Sequence, residues 1–234
     1  MDRNLAEQYK KMKIGIDDLF KFHCTQCGKC CINRDDILLT PRDLFRISQK
    51  LNLTPQETVQ KYCESYIGDD SRLPIVRIKP VGIAKRCPLL RENKCTVHDA
   101  KPSVCAMFPI GRVMELSPDN ANEEHMGYIF VNPECGDNKE THTVREWFNN
   151  FNIPLKDTFF MEWSKMLVDL GNILQYTEKK VSFELMSELW SAILIILYLN
   201  YDMELPFLPQ FQAHCTECLS LMRLFQPEPR SSQE

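Results

Sequence analysis

The 234-residue sequence lacks most of the local signatures that announce an activity. It has no Gly-rich strand-to-helix loop followed by an acidic residue, the mark of a dinucleotide site. It has no phosphate loop, no Ser/His/Asp grouping and no paired-carboxylate site. Long hydrophobic runs are missing too. The most apolar stretch, "AILIILYL" from Ala192 to Leu199, is too short to cross a bilayer and is flanked by Glu184, Glu188 and Asp202. The opening "MDRNLAEQYKKMKIGIDDLF" holds no apolar leader segment, so no membrane association and a cytoplasmic location are expected. The net charge is −4 with no dense basic block, which argues against nucleic acid as the main partner. Hydrophobic (44%) and charged (26%) contents are those of an ordinary globular protein, so a packed core needs no staples.

Cysteine is what the chain has in excess. There are 11, an odd number that cannot pair completely, and a reducing compartment disfavours structural disulfides. Metal ligation or redox chemistry is the better reading. The stretch "CTQCGKCC" holds Cys24, Cys27 and Cys30 as C-x-x-C-x-x-C, with Cys31 directly beside the third. Two-residue spacing lets a tight turn bring successive sulfurs onto one ion, and Gly28 supplies the backbone freedom such a turn needs. Buried cysteines have no reason to keep turn spacing. Adjacent side chains diverge, so Cys30 and Cys31 do not both grip one small ion: one is spare, or the site holds more than one metal atom. Cys87, Cys95, Cys105 and Cys135 lie downstream in loops with Pro or Gly nearby, where a backbone can wrap a ligand. Lys29, Lys85, Arg86, Lys94 and Lys101 gather in the same region. They either offset thiolate charge or are plain solvated surface.

The periodicity predicts a mixed α+β fold, mostly helical. A loop-rich cysteine-cluster region (1–140) with a few short strands is followed by a helical region (141–225) and a disordered tail (226–234). A short helix is expected within residues 5–20. "TPRDLFRISQKL" and "TPQETVQKYCESYIG" each open with a Thr cap, a Pro and an acidic residue three after the cap, and Gly68 closes the second. "LPIVRIKPVGIAKRCPLL" reads as two short strands forming a hairpin, "NKCTVHDAKPSVCAMFPIG" as a loop, and "GYIFVNPEC" as a strand. Leu155, Phe159, Trp163, Met166, Leu170 and Leu174 mark one helix face. Two further helices follow, the first capped by Ser182.

"FHCTQCGKCC", "CPLL" and "CTVHDAKPSVCAMFP" together resemble the signature of the YkgJ-type cysteine-cluster family, a CxxCxxCC domain to which zinc or iron chelation is ascribed. The resemblance covers roughly residues 20–136. It implies Cys24, Cys27, Cys30, Cys31, Cys87, Cys95 and Cys105 as metal ligands, with Cys135 as an eighth. Asp43 falls where the family tends to be acidic, although a helix cap explains it equally well. Relatives include the larger flagellin lysine N-methylases. They imply a protein substrate, and S-adenosylmethionine as cofactor only if this chain is such an enzyme.

Other residues have plainer explanations. Cys215 and Cys218, beside His214, form a second C-x-x-C, but they step with Leu208, Phe211, Met222 and Phe225 along one apolar helix stripe, which favours core packing. Cys63 reads as the buried face of its helix. His98 is either a ligand, a donor to a cluster sulfur, or packing; His23 is badly placed to ligate. Structural zinc prefers two paired knuckles, whereas a tight C-x-x-C-x-x-C plus a distant Cys suits iron–sulfur clusters. Three functions follow: a metal-binding module holding an iron–sulfur cluster or zinc and serving a partner, a cluster-dependent protein-modifying enzyme, and thiol redox exchange through Cys24 and Cys27. The last ranks lowest, because redox C-x-x-C motifs open a helix after a strand and nothing strand-like is expected before Cys24.

Overall fold

The computed structural model describes residues 3–116 and 124–225, and the expected tail at 226–234 lies outside them. Helices make up 46% and strands, in small sheets, 20%, so the fold is α+β with helix predominant, as expected. No helix among the described residues is long and apolar enough to cross a membrane. Packing groups the chain into two compact units that interleave in sequence: Met1–Ile37 with Pro80–Asp157, and Leu38–Lys79 with Thr158–Glu234.

In the first unit, the strand Leu19–His23 pairs antiparallel with Asp137–Thr143, from Leu19↔Thr143 to His23↔Asp137. Alternation sends Phe20 and Phe22 inward and Leu19 and Lys21 outward. The two phenylalanines join Met107, Ile110, Tyr128, Val144, Trp147 and Phe148 in the core. Trp147 meets Phe20 and Phe22 edge-on at 6.0 and 5.6 Å, and its indole N–H donates to the Met107 carbonyl at 3.0 Å. A second antiparallel pair joins Ile110–Leu116 to Glu124–Phe130, which includes the strand read from "GYIFV". A third, tiny hairpin pairs Leu90 with Cys95 and Arg91 with Lys94. Its two turn residues, Glu92 and Asn93, both have positive φ, as a two-residue hairpin turn requires.

Several local expectations change here. The first helix is shorter than 5–20, covering Arg3–Met12, and a strand follows it. Leu19–His23 therefore does place a strand immediately before Cys24. Its apolar–polar alternation is only five residues long, and its partner lies more than a hundred residues away. Leu155 precedes its expected helix and packs against the first unit's core instead.

In the second unit, the helices Pro41–Leu51 and Pro55–Tyr62 start as the sequence predicts. The Asp43 N–H donates to Thr40 Oγ1 (3.1 Å) while the Thr40 N–H donates to Asp43 Oδ2 (3.1 Å), and Thr54 with Glu57 repeats the arrangement. The second helix stops at Tyr62 instead of reaching Gly68. Cys63 begins a strand, Cys63–Ile67, whose five residues all pair with Pro74–Ile78. That pairing satisfies the backbone as a further helical turn would, and Cys63 stays buried, as expected, on a strand instead of a helix. The expected hairpin after residue 73 is thereby replaced. Pro74–Ile78 is the central strand between Cys63–Ile67 and Leu38–Leu39, and Pro80, which has no N–H to donate, follows it. Helix Thr158–Thr177 buries Phe159, Trp163, Met166, Leu170 and Leu174. Ser182 caps Phe183–Leu194, which runs on into a π-helical turn over Ile195–Leu199. Phe211 of the last helix, Phe207–Arg223, meets Phe159 at 4.8 Å and Trp163 at 6.2 Å.

Arg112 and Asp157 form an enclosed ion pair in the first unit, 2.7 Å apart with both side chains 2% exposed. Arg112 also donates to the Pro154 carbonyl and lies 5.1 Å from the Phe148 ring centre. Removing one partner strands a buried charge. Asp157→Ala is expected to destabilise the protein by about 3–5 kcal/mol in denaturant unfolding, set by that stranded charge.

Candidate metal centre

The antiparallel pair of Leu19–His23 and Asp137–Thr143 positions the first sulfurs. The pairing shifts register after Lys21 and ends at His23↔Asp137, directly before Cys24 and directly after Gly136, and Cys24 is near enough to act on Cys135. Gly136 has φ 75°, and a Cβ there would stand 2.5 Å from the His23 carbonyl oxygen and 2.7 Å from the Phe22 ring. Only glycine allows the two segments to approach this closely. Cys135 packs against the core cluster below.

The turn itself follows. Gln26 and Gly28 both take positive φ (51° and 72°), and Gly28 leads into a single 3-10 turn over Lys29–Cys31. The Cys31 N–H donates to the Gly28 carbonyl at 3.0 Å. The chain then bonds to the next cysteine segment: the Cys87 N–H donates to the Cys31 carbonyl at 2.8 Å, and the Asn33 N–H to that of Lys85 at 3.1 Å. From Cys87 the Leu90–Cys95 hairpin brings the chain back, and Cys95 acts electrostatically on Cys87. Cys105 sits on the short helix Ser103–Met107. A strand precedes Cys24, but a 3-10 turn and not an α-helix follows, which is unlike the redox C-x-x-C arrangement.

The sulfurs share one electrostatic neighbourhood centred on Cys30. Its sulfur lies 4.0 Å from that of Cys31, so these adjacent side chains converge where the sequence led us to expect them to diverge. The hydrogen bond from Cys31, with help from Lys101 and Arg34, brings the Cys30 thiol down to about 6. The same bond, then burial and the negative charge of Cys30, Cys87 and Cys105, push Cys31 up. Burial raises Cys87, Cys95 and Cys105, and the charge of Cys30 adds to each. Burial followed by the charges of Cys30, Cys27 and Cys24 takes Cys135 to about 11.

A second feature works the other way. The Lys29 N–H donates to the Cys27 sulfur and holds its pKa down, and the Gly136 N–H adds to this. The Leu89 N–H does the same for Cys87, and the Val97 N–H for Cys95. In all three the donor lies two residues after the cysteine. Backbone amides aimed at sulfur favour the thiolate, the form that binds metal. The donor chemistry therefore suits a thiophilic cation, which would relieve the mutual repulsion and deprotonate the raised thiols. Among the described residues no three His, Cys, Asp or Glu side chains are drawn together tightly enough to hold one ion. The thiols are neighbours, not a closed tetrahedron.

Other expected residues fall outside this group. Of the five cations, Lys101 acts on Cys30, Cys95 and Cys105, whereas Lys85 faces Asp35 (3.9 Å) and Arg86 reaches Asn93 (3.5 Å). Arg34, which no motif singled out, reinforces Cys30. The His23 ring lies between Asp137 (3.1 Å) and Glu140 (3.6 Å). His98 is exposed, with its ring edge-on to Phe151 at 6.4 Å, which favours packing. Asp43 serves as a helix cap. Cys218 is fully buried on the inner face of its helix and Cys215 is half-buried, in agreement with core packing.

Comparison with known proteins supports the same reading. The profile of the CxxCxxCC family, described as a "putative zinc- or iron-chelating domain", matches residues 23–136. A protein of Methanocaldococcus jannaschii named "Uncharacterized protein MJ0661" is 27% identical over 88 residues, 38% of this chain and 44% of the relative. The chain thus spans less than half of that relative's length. No solved structure matches.

Gly136 and Gly82 make a controlled pair, since both have positive φ but a Cβ at Gly82 meets nothing within 4 Å. Gly82→Ala should cost only the backbone strain, about 1–2 kcal/mol. Gly136→Ala should cost more and also lower the metal content of the isolated protein, because Cys135 and the N–H that serves Cys27 are both displaced. Thermal unfolding and metal analysis of the two variants check this.

Proposed function

With residues 23–136 a CxxCxxCC domain, we propose that this chain is a metal-binding module. Its centre holds more than one metal atom on Cys24, Cys27, Cys30, Cys31, Cys87, Cys95, Cys105 and Cys135, as iron–sulfur in preference to zinc. The observation that carries this reading is the set of seven thiols linked through Cys30, more than the four donors that a single tetrahedral zinc uses. The tight Cys24–Cys27–Cys30 turn, with further cysteines on separate segments, supports iron–sulfur ligation, and amide-to-sulfur bonds at Cys27, Cys87 and Cys95 are a recognised way of tuning such clusters. When bound, the metal supplies the positive charge that lets these thiols ionise together, and with it the cross-links between segments that share little regular structure.

Protein made and handled without oxygen is expected to be brown and to carry iron with acid-labile sulfide. Colourless protein with stoichiometric zinc and no sulfide would overturn the iron assignment, since zinc's filled d shell gives no visible absorption. The Cys215→Ser variant should keep the parent metal content. Loss of metal in that variant would bring the C-terminal pair into the centre.

A further inference from the structure

Cys30 and Cys31 are neighbours in sequence, and their sulfurs lie 4.0 Å apart. Backbone hydrogen bonds fix the segment that carries them. Left-handed Gly28 opens the single 3-10 turn over Lys29–Cys31, in which the Cys31 N–H donates to the Gly28 carbonyl (3.0 Å) and the Ile32 N–H to that of Lys29 (3.1 Å). The Cys31 carbonyl accepts in turn from the Cys87 N–H at 2.8 Å. The sulfurs therefore meet on a held turn and not on a loose length of chain. Both side chains are half-buried, less open than Cys24 and Cys27 but within reach of a small solute. A disulfide holds its sulfurs about 2.0 Å apart, so this pair has only a short distance to close. Neighbouring Cα atoms are ~3.8 Å apart, below the usual ~4.4–6.8 Å span of a disulfide, so the ring that forms is strained. Strained disulfides are the easily reduced, regulatory kind and not the structural kind.

Building on the metal centre proposed above, which counts both residues among its ligands, we infer that Cys30 and Cys31 are a peroxide-sensitive vicinal dithiol, whose closure to a disulfide between neighbouring residues releases metal. The oxidant is a hydroperoxide, of which hydrogen peroxide is the simplest. One sulfur of the pair attacks a peroxide oxygen and the O–O bond breaks. That sulfur becomes a sulfenic acid, and its proton passes to the departing oxygen, which leaves as water. The second sulfur then displaces the hydroxyl from the first. The S–S bond forms as the S–O bond breaks, and the hydroxyl takes the second thiol's proton and leaves as water. The two sulfurs together lose two electrons and the peroxide gains them. Neither sulfur of the disulfide is a thiolate, so two donors leave the ligand set at once. Closure also pulls on the Cys31 carbonyl and through it on the Cys87 N–H, so the change reaches the next cysteine segment. Two equivalents of an external thiol reopen the ring by exchange, becoming a disulfide themselves, and both ligands return.

The test uses the full chain as isolated without oxygen, with its metal content measured, and adds hydrogen peroxide in steps. Remaining thiols are then blocked with iodoacetamide and the protein is digested with trypsin. Cleavage after Lys29 and Arg34 releases the peptide Cys30–Arg34, "CCINR", which holds these two cysteines and no other. Mass spectrometry is expected to find it unalkylated and two hydrogens lighter than the dithiol, and doubly alkylated when dithiothreitol precedes the iodoacetamide. Metal content is expected to fall in step with the lighter peptide. A peptide that stays doubly alkylated while other cysteines are oxidised would overturn the inference, as would Cys30 or Cys31 cross-linked to another segment. Disulfide formation with no loss of metal would overturn the release and take the pair out of the proposed ligand set. Protein that carries no metal as isolated would overturn the metal centre proposed above, and the mass of the Cys30–Arg34 peptide would still decide the disulfide.

Discussion

Thiols brought together cannot all ionise: each new negative charge raises its neighbours, and burial raises them further. That constraint governs the first unit of this protein. Cys30 is lowered chiefly because Cys31 donates to it, with cations nearby; Cys31 is raised by that bond, and Cys87, Cys95, Cys105 and Cys135 chiefly by burial, with the charge of Cys30 adding to each. As a metal-free chain the arrangement is self-opposed. A bound cation would offset this repulsion with its own attraction for each thiolate, so the arrangement suits a metal site better than a cluster of free thiols.

The backbone answers the same constraint with devices that side chains alone could not provide. Amides two residues beyond Cys27, Cys87 and Cys95 point at sulfur because the chain there runs in turns, where N–H groups are not consumed by a helix or sheet. Turns need unusual backbone angles, and these appear where required: Gln26 and Gly28 before the 3-10 turn, Glu92 and Asn93 in the hairpin, Gly136 against His23. Aromatic packing under the strands, with Trp147 wedged between Phe20 and Phe22, holds the ends of those turns at fixed separation. The packed core thus positions the cysteine turns.

How much of this was legible in the sequence depended on the range of the interaction. Local grammar read well: both Thr-Pro caps, the Ser182 cap, the helix face from Phe159 to Leu174, and the turn at Gly28 are each fixed by residues within a few positions of one another. Long-range pairing did not. The five-residue strand before Cys24 finds its partner at Asp137–Thr143, a polar stretch, "DNKETHT", that carries no strand pattern of its own. The helix expected to run to Gly68 yields at Cys63 to a ladder with Pro74–Ile78, a competition visible only once both segments are in place. For the same reason the packing of residues 38–79 with the C-terminal helices leaves no mark in composition. The cysteine spacing identified the candidate donors. It could not identify Gly136 as the residue that brings Cys135 alongside Cys24, because a glycine after a cysteine reads only as a turn.

The chain also contains its own contrast, which separates the motif from its setting. Cys215 and Cys218 repeat the two-residue spacing of Cys24 and Cys27, yet burial is the main influence on both and takes each to about 12. In the helix Phe207–Arg223 the amides around them are spent on i→i−4 bonds and are not free to turn toward sulfur. The side chains instead follow the helical period, which carries Cys218 into the core beside Phe211 and Met222. Identical spacing therefore gives a thiolate-favouring turn in one setting and a pair of inert apolar side chains in the other. The deciding variable is whether the backbone amides are free, and in this protein Gly28 and the left-handed Gln26 free them at the N-terminal motif.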